Sequence, residues 1–222
     1  MGNGDDLLVL REAITHDIDV DTATFPGGYP GNIELALLDA VLSIRAKYGT
    51  WPTTGVGRRV MAYRELRASS QAGEVICDDL AVLADFDRDS LGDVVGRQKV
   101  SGVPKVDVIQ NGARALADAG ARHTADLKAN PEDYKSAYTS VRGLGPVTWS
   151  YFGMLLGIQD VKADTMICRY LSRQLGRTVN SDEARGLLLR AAEDLGLEPS
   201  ALDHAIWRFE RGVKPRKKRS QS

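Results

Sequence analysis

Three places in the sequence have residue types and spacing that chemistry could use. The first is the stretch VRGLGPVTWS, residues 141–150, where Gly143 and Gly145 flank Leu144 and Pro146 follows directly. Glycine takes positive φ without steric cost, so this pair allows a helix to reverse sharply. Proline suits the first helical position, where its missing N–H is no loss. The amides at a helix start are unsatisfied and point outward together, an anion site that a nucleic-acid phosphate would fit. A simple αα-turn uses the same residues, and a lone Gly-x-Gly does not choose between the two. The second place is Asp164, directly before TMICRYL, where a carboxylate is a good helix N-cap in any protein. The third is Asp39, a charge inside the apolar run ALLDAVL, for which a solvent-facing or capping side chain is the ordinary explanation.

Composition supplies no metal centre. Two cysteines, Cys77 and Cys168, are too few for a disulfide framework or a four-thiolate cluster, and His16, His123 and His204 are scattered without ligand spacing. Neither metal nor cofactor is expected, and the expected setting is a reducing cytoplasm. No run approaches the roughly 18 apolar residues of a membrane helix, and the acidic start lacks the pattern of a secretory signal. A net charge of −1 hides opposed ends. The first twenty-odd residues are acidic, whereas the close, WRFERGVKPRKKRSQS, is strongly basic and carries Lys217 and Lys218. A basic end is suited to phosphate contact, and equally to being a solvated tail.

The elements that must position these residues are helical nearly throughout. NIELALLDAVLSIRAKYG carries Ile33, Leu37, Val41, Ile44 and Tyr48 at helical spacing, with Asn32 as the expected cap and Gly49 as the stop. GRRVMAYRELRA, CDDLAVLADF, RDSLGDVVG and PKVDVIQNGARALADAG follow as helices, then NPEDYKSAYTSV with Pro131 opening it after Asn130. PVTWSYFGMLLG is apolar on nearly every side, which marks a buried helix; Trp149 and Tyr151 could stack a base, but on so apolar a helix the core is the expected place for them. ADTMICRYLSRQLG has Ile167, Leu171 and Leu175 on one stripe and Arg169 with Arg173 on another. SDEARGLLLRAAEDLG and PSALDHAIWRFERG come last, with Ser181 and Ser200 as expected caps. No strand pair is evident, so the expected class is all-α with about ten helices. DIDVDTATFPGGYPG is the one long irregular stretch.

The turn, the buried helix and the Asp-Thr together resemble the helix-hairpin-helix DNA glycosylase superfamily, endonuclease III-like. That family shares a hydrophobic-x-Gly-hydrophobic-Gly hairpin, a buried helix and an Asp-Thr opening the next helix. They correspond here to VRGLG, PVTWSYFGMLLG and VKADTMICRYL. Asp164 lies nineteen positions after Gly145, close to the family's interval, and Asp164-Thr165-x-Ile167-x-Arg169 fits its pattern. The similarity is strong over about residues 137–175 and weak but collinear from about 32 to 212.

The resemblance implies two helical lobes with a cleft between them. Residues 32–158 would form a barrel lobe ending in the hairpin, and residues 1–31 plus 159–222 the second lobe with the basic tail. It implies double-stranded DNA as the partner, bound by a monomer, nucleoid-associated in a bacterium. Asp164 takes the place of the family's catalytic carboxylate. Asp39 falls where adenine-removing members keep a second acid, and Arg45 where relatives place a residue that fills the gap left by an extruded base. Gly143, Leu144, Gly145, Val147, Arg45, Arg169, Lys217 and Lys218 are the DNA-binding candidates.

Two departures narrow the expectation. Members that also cut the strand carry a nucleophilic lysine two residues beyond the second hairpin glycine, and this chain has Val147 there. The four-cysteine cluster of many relatives is also missing. The expectation is a monofunctional glycosylase that leaves an abasic site. The alternative is a non-catalytic DNA-binding protein that kept the hairpin and lost the chemistry.

Overall fold

The computed structural model describes residues 3–46, 49–50, 52–69 and 75–212; Tyr48, Lys217 and Lys218 lie outside these. The chain is all-α. In chain order the helices are α1 (Asn3–Asp17), α2 (Ile33–Leu42), α3 (Gly55–Ser69), α4 (Leu80–Ala84), α5 (Arg88–Val95), α6 (Lys105–Asp118), α7 (Thr124–Ala129), α8 (Pro131–Ser140), α9 (Pro146–Leu155), α10 (Thr165–Leu175), α11 (Ser181–Leu195) and α12 (Pro199–Glu210). Among the described residues none of these is long and apolar enough to cross a membrane.

One small ribbon departs from the expected absence of strands: β1 (Lys99–Val100) pairs antiparallel with β2 (Val103–Pro104), Val100 opposite Val103. Its two-residue turn has Ser101 at φ 51° and Gly102 at φ 83°, both left-handed, which matches the twist of a tight hairpin. Two residues per strand are too few to leave an alternating pattern in a sequence.

The chain divides into two compact units, Gly27–Ile158 and Met1–Pro26 with Gln159–Ser222. In the first, α2 is the central helix, packed on α3, α6 and α9. All ten of its residues are buried, including two acids, Glu34 and Asp39. Burial raises the pKa of Glu34, and its partners counter that: Arg67 Nε donates to it at 2.9 Å, Tyr63 Oη at 2.5 Å and the Asp79 amide at 3.1 Å. A buried charge is tolerated when it is paired and hydrogen-bonded in this way. Asn32 precedes α2 but does not cap it; its carboxamide instead takes the Cys77 amide at 3.1 Å.

The expected helix 33–48 stops at Leu42. Arg45 sits at φ 52°, and the carbonyls of Leu42 and Ile44 turn to the buried ammonium of Lys105 at 2.7 and 2.9 Å. An ammonium that fills the place of the next helical amides ends the helix there.

In the second unit, α1, α10, α11 and α12 pack around Leu10, Ile14, Ile167, Leu171, Leu188, Leu202 and Ile206. Neither expected serine cap forms. Asn180 caps α11 through the Glu183 amide at 2.9 Å, and Ser200 lies inside α12 with its hydroxyl on the Asp160 carbonyl at 3.1 Å. A side chain that reaches a neighbouring segment is not free to cap its own helix.

Candidate active site and candidate nucleic-acid interface

The hairpin joins α8 to α9 through residues 141–145, closed by Leu144 N on Val141 O at 3.0 Å. The two glycines have different reasons. Gly143 takes φ 103°, and a Cβ there would lie 3.0 Å from Val100 Cγ1 of the ribbon, so conformation and packing both demand glycine. Gly145 is extended at φ −159°, where any residue fits, and a Cβ would meet nothing within 4 Å. Leu144 is buried, with Cδ1 over Gly112 of α6, and so braces the turn from inside.

At the start of α9 the Gly145 amide donates to Thr148 Oγ1 at 2.9 Å, and Pro146 has no N–H. Among the described residues no acceptor takes the amides of Val147 and Thr148. Unsatisfied amides at a helix start suit an anion. The Val147 side chain is half-buried beside them and offers no nucleophile.

These differences make a prediction for stability. Gly143→Ala forces a left-handed alanine and should cost about 1–2 kcal/mol, read as an earlier unfolding transition in urea. Gly145→Ala should cost less than about 0.5 kcal/mol. Equal losses for the two variants would contradict the geometry.

Asp39 is neither solvent-facing nor a cap. It is fully buried and accepts from Tyr29 Oη at 2.7 Å, Ser43 Oγ at 2.9 Å and Tyr151 Oη at 3.2 Å. Three hydroxyl donors satisfy the carboxylate and in turn fix both tyrosines. Tyr151 and Trp149 are core residues, Trp149 packing its ring against Tyr138 and Phe152. Tyr29 was not foreseen, since nothing in an irregular stretch marks which aromatic will fold back onto a helix.

Arg45 is exposed at the tip of the turn after α2. Lys105 anchors that turn: besides the two carbonyls, its ammonium donates to Gln98 Oε1 at 3.1 Å. Burial, with Arg59 nearby, brings the Lys105 pKa down to about 8.

Asp164 lies in the other unit and caps α10. Its Oδ1 accepts from the amides of Met166 at 2.8 Å and Ile167 at 3.3 Å, while among the described residues no hydrogen bond engages Oδ2. The residue is only partly buried. One oxygen therefore orients the group, and the other is left to act on a neighbour. Arg169 is exposed on the same helix, whereas Arg173 is engaged by Glu210 at 2.5 Å.

A second carboxyl stands near Asp164 that the sequence did not single out. Asp203 of α12 is 5% exposed, and its pKa is pushed up to about 7, first by burial and then by the charge of Asp164. An acid beside the apolar positions Leu202 and Ile206 is the same signal that Asp39 gives within α2. Among the described residues no group of three or more His, Cys, Asp or Glu is placed to hold a metal ion.

A family profile described as a domain of unknown function, DUF8548, matches residues 9–211. The chain belongs to this family. No curated protein matches the sequence. Among solved structures, the DUF8548 chain is similar to the crystal structure of the H. pylori 3-methyladenine DNA glycosylase MagIII bound to 1,N6-ethenoadenine. The alignment covers 95% of this chain and 99% of that one, with a TM-score of 0.62 and 15% sequence identity. At that identity the likeness is one of fold: the DUF8548 chain has an all-α, glycosylase-like architecture.

Proposed function

We propose that this protein is a monofunctional DNA glycosylase that acts as a monomer on double-stranded DNA. It hydrolyses the N-glycosidic bond of a damaged or mispaired base and leaves an abasic site. One observation carries this reading: Asp164, at the position of the superfamily's carboxylate, uses one oxygen as a cap and, among the described residues, keeps the other out of any hydrogen bond at a partly exposed site. The glycosylase-like fold supports it.

The chemistry follows from the bond being broken. As the C1′–N bond lengthens, the base departs with the electron pair and positive charge gathers on the sugar. A carboxylate oxygen held nearby stabilises that charge and takes a proton from the water whose oxygen bonds to C1′. The hairpin amides of Val147 and Thr148 would hold a backbone phosphate, with Arg169, Lys217 and Lys218 adding charge. Gly145→Ala separates this from a plain turn: it should leave the fold intact while weakening duplex binding, because the methyl group stands where the phosphate would approach. Arg45, exposed on its anchored turn, would be the residue that fills the space of an extruded base. Asp39, held by Tyr29, Ser43 and Tyr151, would be the second acid that adenine-removing members keep.

The test is a panel of duplexes carrying 3-methyladenine, 1,N6-ethenoadenine, hypoxanthine, uracil, mismatched thymine, and adenine opposite oxidised guanine. Alkylated purines come first because the similar structure is of a 3-methyladenine glycosylase. Abasic product from wild type and not from Asp164→Asn is the expected outcome. Binding without product across the panel would favour the non-catalytic DNA-binding reading. With Val147 in place of a lysine, borohydride should trap no covalent complex with a damaged duplex. Efficient trapping would refute water as the nucleophile and point to Lys162.

A further inference from the structure

The segment that leads into α10, residues 159–164, has no regular structure, yet its backbone is not left to solvent. Side chains from the first turns of α12 take it over. Ser200 Oγ donates to the Asp160 carbonyl at 3.1 Å and accepts from the Asp160 amide at 3.3 Å, and Gln159 Oε1 accepts from the Ser200 amide at 3.4 Å. Three residues on, Asp203 Oδ2 accepts from the Lys162 amide at 3.0 Å. Positions three apart share a helix face, so Ser200 and Asp203 grip the segment at two successive points. Between the second grip and Asp164 lies Ala163, 2% exposed and at φ 38°. A Cβ disfavours this left-handed conformation, and such conformations persist only where surroundings over-determine them.

We propose that Asp203 is a positioning residue for Asp164: by holding the backbone at Lys162 it keeps Ala163 left-handed and so fixes the direction in which the Asp164 carboxylate leaves the chain. The proposal rests on Asp164 acting as described above. Asp203 makes no bond to substrate or reacting atoms; it acts through three consecutive residues of backbone. Burial and then the Asp164 charge raise its pKa, and the Lys162 ammonium, followed by the amides of Lys162 and Ala163, holds it down. The Lys162 amide at 3.0 Å is the backbone group that Asp203 holds.

Amide hydrogen exchange on the wild-type protein tests the grip with no variant at all. The Lys162 and Ala163 amides should exchange at least about a hundredfold more slowly than an open loop, although neither lies in a helix. Loop-like exchange at both would overturn the proposal. Asp203→Leu fills the volume without an acceptor, and Asp203→Asn keeps an acceptor oxygen. In Asp203→Leu the two amides should exchange about tenfold faster, the loss of one hydrogen bond, and kcat for base release should fall about tenfold or more with KM and duplex affinity unchanged. Asp203→Asn should restore both to within about threefold, since a neutral acceptor is weaker but present. A purely structural residue would slow release only in proportion to the unfolded fraction, and wild-type release from folded Asp203→Leu would refute positioning. The two readings fail separately. If Asp164→Asn releases base normally the catalytic role is lost, while the exchange measurements still decide the grip.

The ionisation of Asp203 gives a further check. Its folded pKa of about 7 lies above the unfolded value of 3.8, so its contribution to stability is complete below pH 4 and is lost as pH rises through 7. The charged groups acting on it are Asp164 and Lys162. Wild type should therefore lose more of its thermal midpoint between pH 5 and pH 8 than Asp203→Asn does. Identical slopes would mean that the carboxyl does not occupy the described site.

Discussion

Asp164→Asn should lower the rate of base release by about a thousandfold, the range seen when a preorganised electrostatic partner of a transition state is removed. The substitution is a clean one. Asparagine caps a helix about as well as aspartate, so the Met166 and Ile167 amides keep an acceptor and the fold should lose less than about 0.5 kcal/mol. What disappears is the negative charge on the oxygen that the cap does not use. Single-turnover release from a saturating alkylated-purine duplex, with thermal unfolding alongside, makes the measurement. A folded variant that releases base at the wild-type rate would end the glycosylase reading in this form.

Gly28→Ala should have the largest effect on stability. A Cβ there would lie 2.1 Å from the carbonyl oxygen of Leu155 and 2.6 Å from its carbonyl carbon and Cα, all backbone atoms that cannot rotate aside. The contact is tight because the Tyr29 amide donates to that same carbonyl at 2.6 Å at the end of α9. Relief requires lifting the 27–31 segment from α9, which takes the Tyr29 hydroxyl away from Asp39 and strips a buried carboxylate of one of its donors. Steric overlap and the lost charge-assisted bond together should cost about 3 kcal/mol or more. Chemical denaturation would show it as a lower midpoint with an unchanged slope. A midpoint equal to wild type would mean that the segment does not dock as described.

Asp39 shows why activity and stability must be read together at this place. Removing its carboxylate takes a buried acceptor from the hydroxyls of Tyr29 and Tyr151, so lost base release by an Asp39 variant is informative only if the protein remains folded. Asp164 carries no such ambiguity, because its capping oxygen has an equivalent in asparagine.

Much of the architecture was legible in the sequence because helices leave a local signature. The 3.6-residue period, proline at a helix start and acids in a first turn act over a few residues, so α6, α8, α9, α10, α11 and α12 could be placed from the letters. Asp164 was legible for the same reason, since a cap and its helix are neighbours in the chain. The short α7 and the ribbon at 99–104 were missed, having too few residues to display a period.

Contacts between distant segments were beyond a local pattern. That α2 ends at Leu42 follows from Lys105, 63 residues away from the carbonyl it binds, and that Asp39 is buried follows from a tyrosine 112 residues along the chain. The need for glycine at 143 comes partly from Val100 of the ribbon, and Gly145 proved free of any constraint within its own unit. Asp203 was hidden for the same reason: its partners are backbone amides forty residues upstream, and a backbone amide has no letter in a sequence. The sequence by itself determined the helical class, the hairpin and the carboxylate that opens α10, because each is set by interactions within a turn or two of chain. Only the tertiary structure decided which oxygen of that carboxylate is available, what holds it and which acids are enclosed, because burial and long-range hydrogen bonding are properties of packed segments.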